Sequence, residues 1–278
     1  MTMFSTGHIM WICISLFLIA GGLILVKIRK PAFDDVLKVC FFLGIIFELV
    51  KIFAVAQILP VVDPVITGGE AGEVLSYLPA GQYSPYIENS HLPFELCSLQ
   101  LLFYAIVIWS SDPKWKERFT ALIFVTGIIG GLLGIVLSSI APEHQSVRDF
   151  FTSPRAWQFF LYHSMVVTVG IVAGFSEESK VSFKDLKNVL PAIISLDIIS
   201  FYFNSIFSDP VYENAKPVAL LYRTNFFSSY VNPLGLVLTE KWQWLTYLIL
   251  RLLIASAVIL TLFLIQRLFR GSRKESTA

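Results

Sequence analysis

The chain has 278 residues, 55% of them apolar and only 15% charged, with a formal net charge of +1. Soluble domains carry about a quarter charged residues, so this composition, with a mean hydropathy of +0.70, points to an integral membrane protein. A near-neutral chain without a basic stripe excludes nucleic acid as a partner, and Cys13, Cys40 and Cys97 form no CxxC pair and no metal-type spacing.

Crossing the hydrocarbon takes roughly 20 mostly apolar residues, and seven stretches qualify, at about 8–27, 36–60, 92–110, 118–140, 156–175, 184–207 and 241–268. The first, Ile9 to Val26, has no Lys or Arg before it and is too long for the apolar core of a secretory signal, so it reads as a permanent span. No soluble domain, low-complexity tract or repeat interrupts the series, and residues 1–278 read as one transmembrane domain.

The connections alternate in charge. The first carries Lys27, Arg29 and Lys30, the third Lys114, Lys116 and Arg118, the fifth Lys180, Lys184 and Lys187, and the tail Arg267, Arg270, Arg273 and Lys274. The second, 61–91, has no Lys or Arg but has Asp63, Glu70, Glu73 and Glu88. Excess Lys and Arg mark the cytoplasmic side. The expected fold is therefore all-α: a seven-transmembrane-helix bundle with its N-terminus outside and its C-terminus cytoplasmic. Trp115, Trp157, Trp242 and Trp244 fall at span ends, where amphipathic rings sit. The long loops 61–91 and 208–240 are then external, and a segment near Phe226, Phe227 and Tyr230 can dip into the interface or cover a cavity.

Ionisable groups inside spans are costly and usually face the bundle interior. Here they are Glu48, Lys51, Glu95, His163, Asp197 and Arg251, with Asn204 near an outer end. At about 1.5 Å per residue, Cys97 lies roughly 8 Å and His163 roughly 12 Å below the outer surface, so the two share a depth. Asp197 and Asn204, seven apart, share a helix face. Plain structural readings stand beside functional ones. Glu48 and Lys51 are i,i+3 neighbours that can pair with each other, Asp197 and Arg251 can form an interhelical ion pair, and a membrane cysteine can be a small packing residue or pair with Cys13.

Three functional readings remain open on the residues alone. A Cys97–His163 dyad would attack a lipid ester and hold the acyl group as a thioester, with Asn204 and Asn225 stabilising the oxyanion. A metal site would use His91 and Glu95 at i,i+4, with His163 or Asp197 as third ligand. A receptor or transporter would need no chemistry. The last span has no lysine for a retinal Schiff base between Trp242 and Gln266, and no inverted repeat marks a transporter.

The third span opens His91-Leu92-Pro93-Phe94-Glu95-Leu96-Cys97-Ser98-Leu99-Gln100. Its LPxxLCS core resembles the signature of the YwaF-like family of bacterial integral membrane proteins. Ser139-Ile140-Ala141-Pro142-Glu143, Phe160-Leu161-Tyr162-His163-Ser164, Asn204 and Asn225 resemble further pieces of it, over roughly 40–250 of this chain. That family is similar to animal membrane acyltransferases that remodel ether phospholipids, and more distantly to Thr/His membrane hydrolases of fatty-acid esters. The resemblance implies Cys97 as nucleophile and His163 as base, although Glu95 stands where the bacterial branch more often has histidine.

The expectation is a multi-pass cell (plasma) membrane enzyme without cofactor or metal, acting on phospholipids and lysophospholipids of the bilayer. Its site would be Cys97 and His163, with Asn204, Asn225, Glu95, Asp197 and Arg251 contacting substrate. The alternatives are a lipid-ester hydrolase and a non-enzymatic lipid or small-molecule transporter or receptor.

Overall fold

A computed structural model describes residues 4–60, 83–92, 95–138, 140, 146–213, 216–222, 224–226 and 238–276. Its helices are α1 (Thr6–Arg29), α2 (Phe33–Val55), α3 (Leu99–Trp109), α4 (Pro113–Val136), α5 (Val147–Thr152), α6 (Pro154–Phe175), α7 (Leu186–Ile206) and α8 (Lys241–Ser276). Their starts follow local chemistry. Ser5 caps α1 by accepting from His8 N–H. Asp112 and Ser153 cap α4 and α6, each followed by a proline at the first helical position. The short α5 begins on a capping box of Ser146 and Asp149.

Five helices are long and apolar enough to cross a membrane: α1, α4, α6, α7 with the 3₁₀ turn before it, and α8 as far as Arg270. The chain is thus an all-α membrane protein. The 23 residues of α2 have the length, about 35 Å, but include Asp34, Asp35, Lys38, Glu48 and Lys51. The expected third span at 92–110 differs most from what is found. Its helix is α3, 11 residues long, which rises only about 16 Å against the roughly 30 Å of hydrocarbon. Leu92, which precedes Pro93, has φ −62° and ψ 148°, the extended backbone that a following proline enforces. The chain then turns at 95–98 before becoming helical at Leu99.

The segments expected as plain loops also contain strands. β1 (Gln57–Pro60) pairs antiparallel with β2 (Tyr83–Tyr86), with Gln57 opposite Tyr86. β3 (Ser208–Glu213) pairs antiparallel with β4 (Lys216–Tyr222), with Ser208 opposite Tyr222 and an irregularity at Val211/Tyr212. The second expected span, about 36–60, accordingly ends at Val55 as a helix and continues as β1.

The bundle is centred on α4 and α6. Their apolar windows are 61% and 72% buried, against 17%, 17% and 11% for α1, α7 and α8. The two helices touch backbone to backbone. A Cβ on Gly127 would stand 3.0 Å from Val166 O and 3.1 Å from Gly170 Cα, so the crossing depends on small residues, as in tightly packed membrane helices. On one side α1 docks through Trp11, stacked on Phe160 at 5.1 Å, and through His8. Phe4 N–H donates to His8 Nδ1, leaving Nε2–H to donate to Ile135 O at 2.9 Å. On the other side Phe263 of α8 meets Phe124 edge-on at 5.4 Å. Gln266 Nε2 donates to Gly174 O and Val181 O, both at 2.8 Å, and Arg270 donates to Val181 O and Ser176 O. These bonds fasten the C-terminal part of α8 to the connection after α6. Pro191 sits inside α7, where it removes one helical N–H donor.

Candidate active site

Cys97 lies in the turn that feeds α3. Leu99 N–H donates to Glu95 O at 3.0 Å and Gln100 N–H to Cys97 O at 3.2 Å. The turn is fixed from two directions. Tyr162 OH of α6 donates to Cys97 O at 2.8 Å. Gln100 Nε2 donates to Thr126 Oγ1 of α4 at 2.5 Å, and that hydroxyl donates onward to Leu122 O. The Cys97 thiol is free and partly accessible, as are Cys40 and the exposed Cys13, so no Cys13–Cys97 disulfide forms.

His163 follows Tyr162 on α6 and is buried. Its Nδ1 lies 2.7 Å from Phe159 O. A carbonyl oxygen only accepts, so Nδ1 carries the hydrogen, and in the neutral ring Nε2 keeps its lone pair. The space at Nε2 exists because residue 134 of α4 is glycine: a Cβ there would stand 2.5 Å from Nε2 and 2.2 Å from Cδ2. One turn earlier, a Cβ on Gly130 would stand 3.6 Å from the side chain of Leu96, the neighbour of Cys97. The turn with Cys97 and the His163 ring therefore pack on successive turns of one α4 face.

Both side chains open on one cavity of about 770 Å³, within the range of pockets that take small molecules or lipid tails. Glu95, Asn225, Asp197 and Arg251 line it too, as do Glu48, Lys51, His91, Arg155, Gln158, Tyr162 and Thr224. Apolar walls come from α4 (Ile129, Leu133) and α8 (Leu252, Ala255, Ile259). Among the described residues three cations (Lys51, Arg155, Arg251) stand with three carboxylates (Glu48, Glu95, Asp197), a formal balance of zero. Two of these pairs are direct. Lys51 Nζ is 2.5 Å from Glu48 Oε2, and Arg251 of α8 bonds Asp197 of α7, so both expected ion pairs form. Among the described residues no hydrogen bond joins Cys97 Sγ to His163.

Asn204 takes a different place from the one expected. It is fully buried, and its amide is occupied by the backbone of Phe226: Nδ2 donates to Phe226 O at 3.0 Å, and Oδ1 accepts from Phe226 N–H at 2.8 Å. It holds the segment 224–226, which brings Thr224 and Asn225 to the cavity, rather than lining the cavity itself. The expected i,i+4 helical face of His91 and Glu95 is absent, because His91 ends a 3₁₀ turn and Glu95 begins the next turn. Among the described residues no group of three His, Cys, Asp or Glu side chains is placed to hold a metal ion. Sequence reasoning missed Tyr162, Gly134 and Thr224. Tyr162 adjoins the singled-out histidine, but nothing in the sequence separates it from other aromatics. Gly134 carries a faint signal as part of Gly130-x-x-x-Gly134, the small-residue spacing of helix contacts.

A helical membrane bundle enclosing a largely apolar cavity that also holds charged side chains is the class of protein these features define. The TMEM164 family model matches residues 3–266, and the chain belongs to that family of membrane proteins. No curated protein and no solved structure matches it.

Proposed function

We propose that the chain is a membrane acyltransferase that moves a fatty acyl group between glycerophospholipids and lysophospholipids through a Cys97 thioester. The observation that carries this reading is the meeting of Cys97, His163, Glu95, Asn225, Asp197 and Arg251, from distant parts of the chain, around one cavity of about 770 Å³. The YwaF-like resemblance and its link to Cys/His acyltransferases support the same assignment. We also propose that α2, and α3 with the turn before it, complete seven crossings of the cell membrane with the N-terminus outside, because the positive charges cluster on alternate connections.

His163 Nε2 takes the Cys97 proton, and the thiolate attacks the ester carbonyl carbon of the donor lipid. The C–S bond forms as the bond to the glycerol oxygen breaks, and His163 returns the proton to that oxygen, releasing a lysophospholipid. The hydroxyl of an acceptor lysophospholipid, deprotonated by Nε2, attacks the thioester. The C–S bond breaks and the thiolate regains its proton from His163. Proton transfer needs the thiol within about 3–4 Å of Nε2; such contacts tighten in the substrate complex. Asn225 orients the carbonyl, Asn204 holds Asn225 in place through Phe226, and Asp197, Arg251 and Glu95 line the head-group side.

The test is mass spectrometry of the purified protein incubated with phospholipid bearing a labelled acyl chain. A labelled acyl adduct on Cys97 is expected, absent in Cys97→Ala. An adduct on another residue, or undiminished lipid remodelling by Cys97→Ala, would sink the proposal. Release of free fatty acid at an unchanged rate without an acceptor identifies a hydrolase instead, and lipid bound without turnover identifies a binding protein.

A further inference from the structure

The pair Glu48–Lys51 differs in kind from the ion pair Asp197–Arg251. Asp197–Arg251 joins α7 to α8 and so contributes to packing. Glu48 and Lys51 are three residues apart on one helix, and their bond ties no two elements together. They are also the only charges of α2 beyond Lys38. A charged group in a span is costly to insert, and an intrahelical pair offsets that cost without adding tertiary contact. Packing alone gives no reason for Lys51 to be there, 6% exposed and facing the cavity.

Its surroundings give one. Phe47, one helical turn before Lys51, meets the Tyr162 ring edge-on at 6.1 Å, and the Tyr162 hydroxyl holds Cys97 O. The face of α2 that carries Lys51 therefore packs on the residue that positions Cys97. Lys51, Cys97 and His163 all line the one cavity.

We infer that Lys51, kept in the cavity by Glu48, is the cation that stabilises negative charge at Cys97, first on the thiolate and then on the carbonyl oxygen of the attacked ester. An ammonium in a low-dielectric cavity is suited to both anions, and its flexible stem lets it follow the charge from sulfur to oxygen. The second half of this inference rests on the acyl-transfer reading; the first half does not.

The experiment uses full-length protein in which Cys13 and Cys40 are replaced by serine, so that Cys97 is the only thiol. Its alkylation by uncharged iodoacetamide is timed at pH 8, beside formation of the labelled acyl adduct. Lys51→Met is expected to slow alkylation about tenfold or more, the effect of removing an opposite charge that favours the thiolate. The acyl adduct should fall at least as far. Lys51→Arg should restore most of both rates, which a loss of packing alone would not produce. Lys51→Gln, which can still bond Glu48, serves if Lys51→Met does not fold and should behave like it. Lys38→Met, an exposed change at the far end of α2, should alter neither rate. Unchanged alkylation in a folded Lys51→Met or Lys51→Gln overturns the inference. Slower alkylation in a protein whose wild type forms no adduct removes the acyl-transfer reading and keeps Lys51 as the partner of the Cys97 thiolate.

Discussion

The hydroxyl of Tyr162 donates to the main-chain oxygen of Cys97 at 2.8 Å, so the residue next to the candidate base holds the backbone of the candidate nucleophile. Replacing it by phenylalanine keeps the ring and removes one bond. Cys97 O retains the Gln100 N–H at 3.2 Å, so the fold should lose only about 1 kcal/mol. The Cys97 turn, however, loses its register to α6. Tyr162→Phe is expected to melt within a few degrees of wild type while acyl-adduct formation on Cys97 falls about tenfold, since small misplacements of reacting groups cost large factors in rate. Equal losses of melting temperature and rate across several such variants would show the bond to be structural only.

Gly134 leaves room for the His163 ring. In Gly134→Ala the new methyl would stand 2.5 Å from Nε2, and the imidazole must turn or α4 must move. Lipid turnover should drop about 100-fold. Gly21→Ala of α1 is the control, because nothing lies within 4 Å of a Cβ there. That substitution should leave turnover unchanged and stabilise the helix by up to about 1 kcal/mol. Turnover unaffected by Gly134→Ala would remove His163 Nε2 from the mechanism.

Asn204→Ala removes the side chain that bonds both the N–H and the O of Phe226. Losing two buried hydrogen bonds costs about 1–3 kcal/mol each. Detergent-solubilised Asn204→Ala should melt well below wild type and be cut by protease near residue 226. Asn204→Asp, which can accept but not donate when ionised, should fall between the two. Wild-type resistance to protease in Asn204→Ala would mean that the segment is held by other contacts.

The Asp197–Arg251 bond joins two helices that are otherwise mostly turned outward. Asp197→Ala alone leaves a cation in the cavity and should cost about 3–5 kcal/mol. Asp197→Leu with Arg251→Met removes both charges and should recover most of that stability. If the pair also contacts the lipid head group, the double variant will fold and still turn over slowly. Wild-type turnover in the double variant would assign the pair to packing alone.

How much of this was legible without coordinates follows from what each signal measures. Hydropathy located the apolar runs because it sums transfer free energy over a window, and α1, α4, α6, α7 and α8 appear where it places them. The same sum is blind to backbone geometry. The run beginning at Leu92 is apolar on average, Glu95 notwithstanding, yet helix forms only from Leu99, because the residue before Pro93 is extended. His91 and Glu95 therefore never form the helical pair that their spacing suggests. The i,i+3 pair Glu48–Lys51 was legible, since helix geometry alone dictates it. The Asn204–Phe226 bond was not: it joins positions 22 apart through main-chain atoms, and main-chain atoms carry no sequence signature. Capping chemistry at Ser146 and Asp149 would have revealed α5.

The thinness of one wall has a consequence of its own. Leu252 of α8 lines the cavity, while its neighbour Leu253 is 62% exposed on the outer face. Likewise Ile193 and Asp197 of α7 face inward, and Ile198 is 54% exposed. Among the described residues a single helix, about 10 Å across, divides the cavity from the outward face on these sides. The C-terminal part of α8 is fastened by Gln266 and Arg270, whereas beside the cavity Arg251 bonds Asp197 of α7. A lipid entering through the seam of α7 and α8 would exchange one oily surface for another and break one ionic latch. Its tail would never meet water, and the route would be sideways rather than from above.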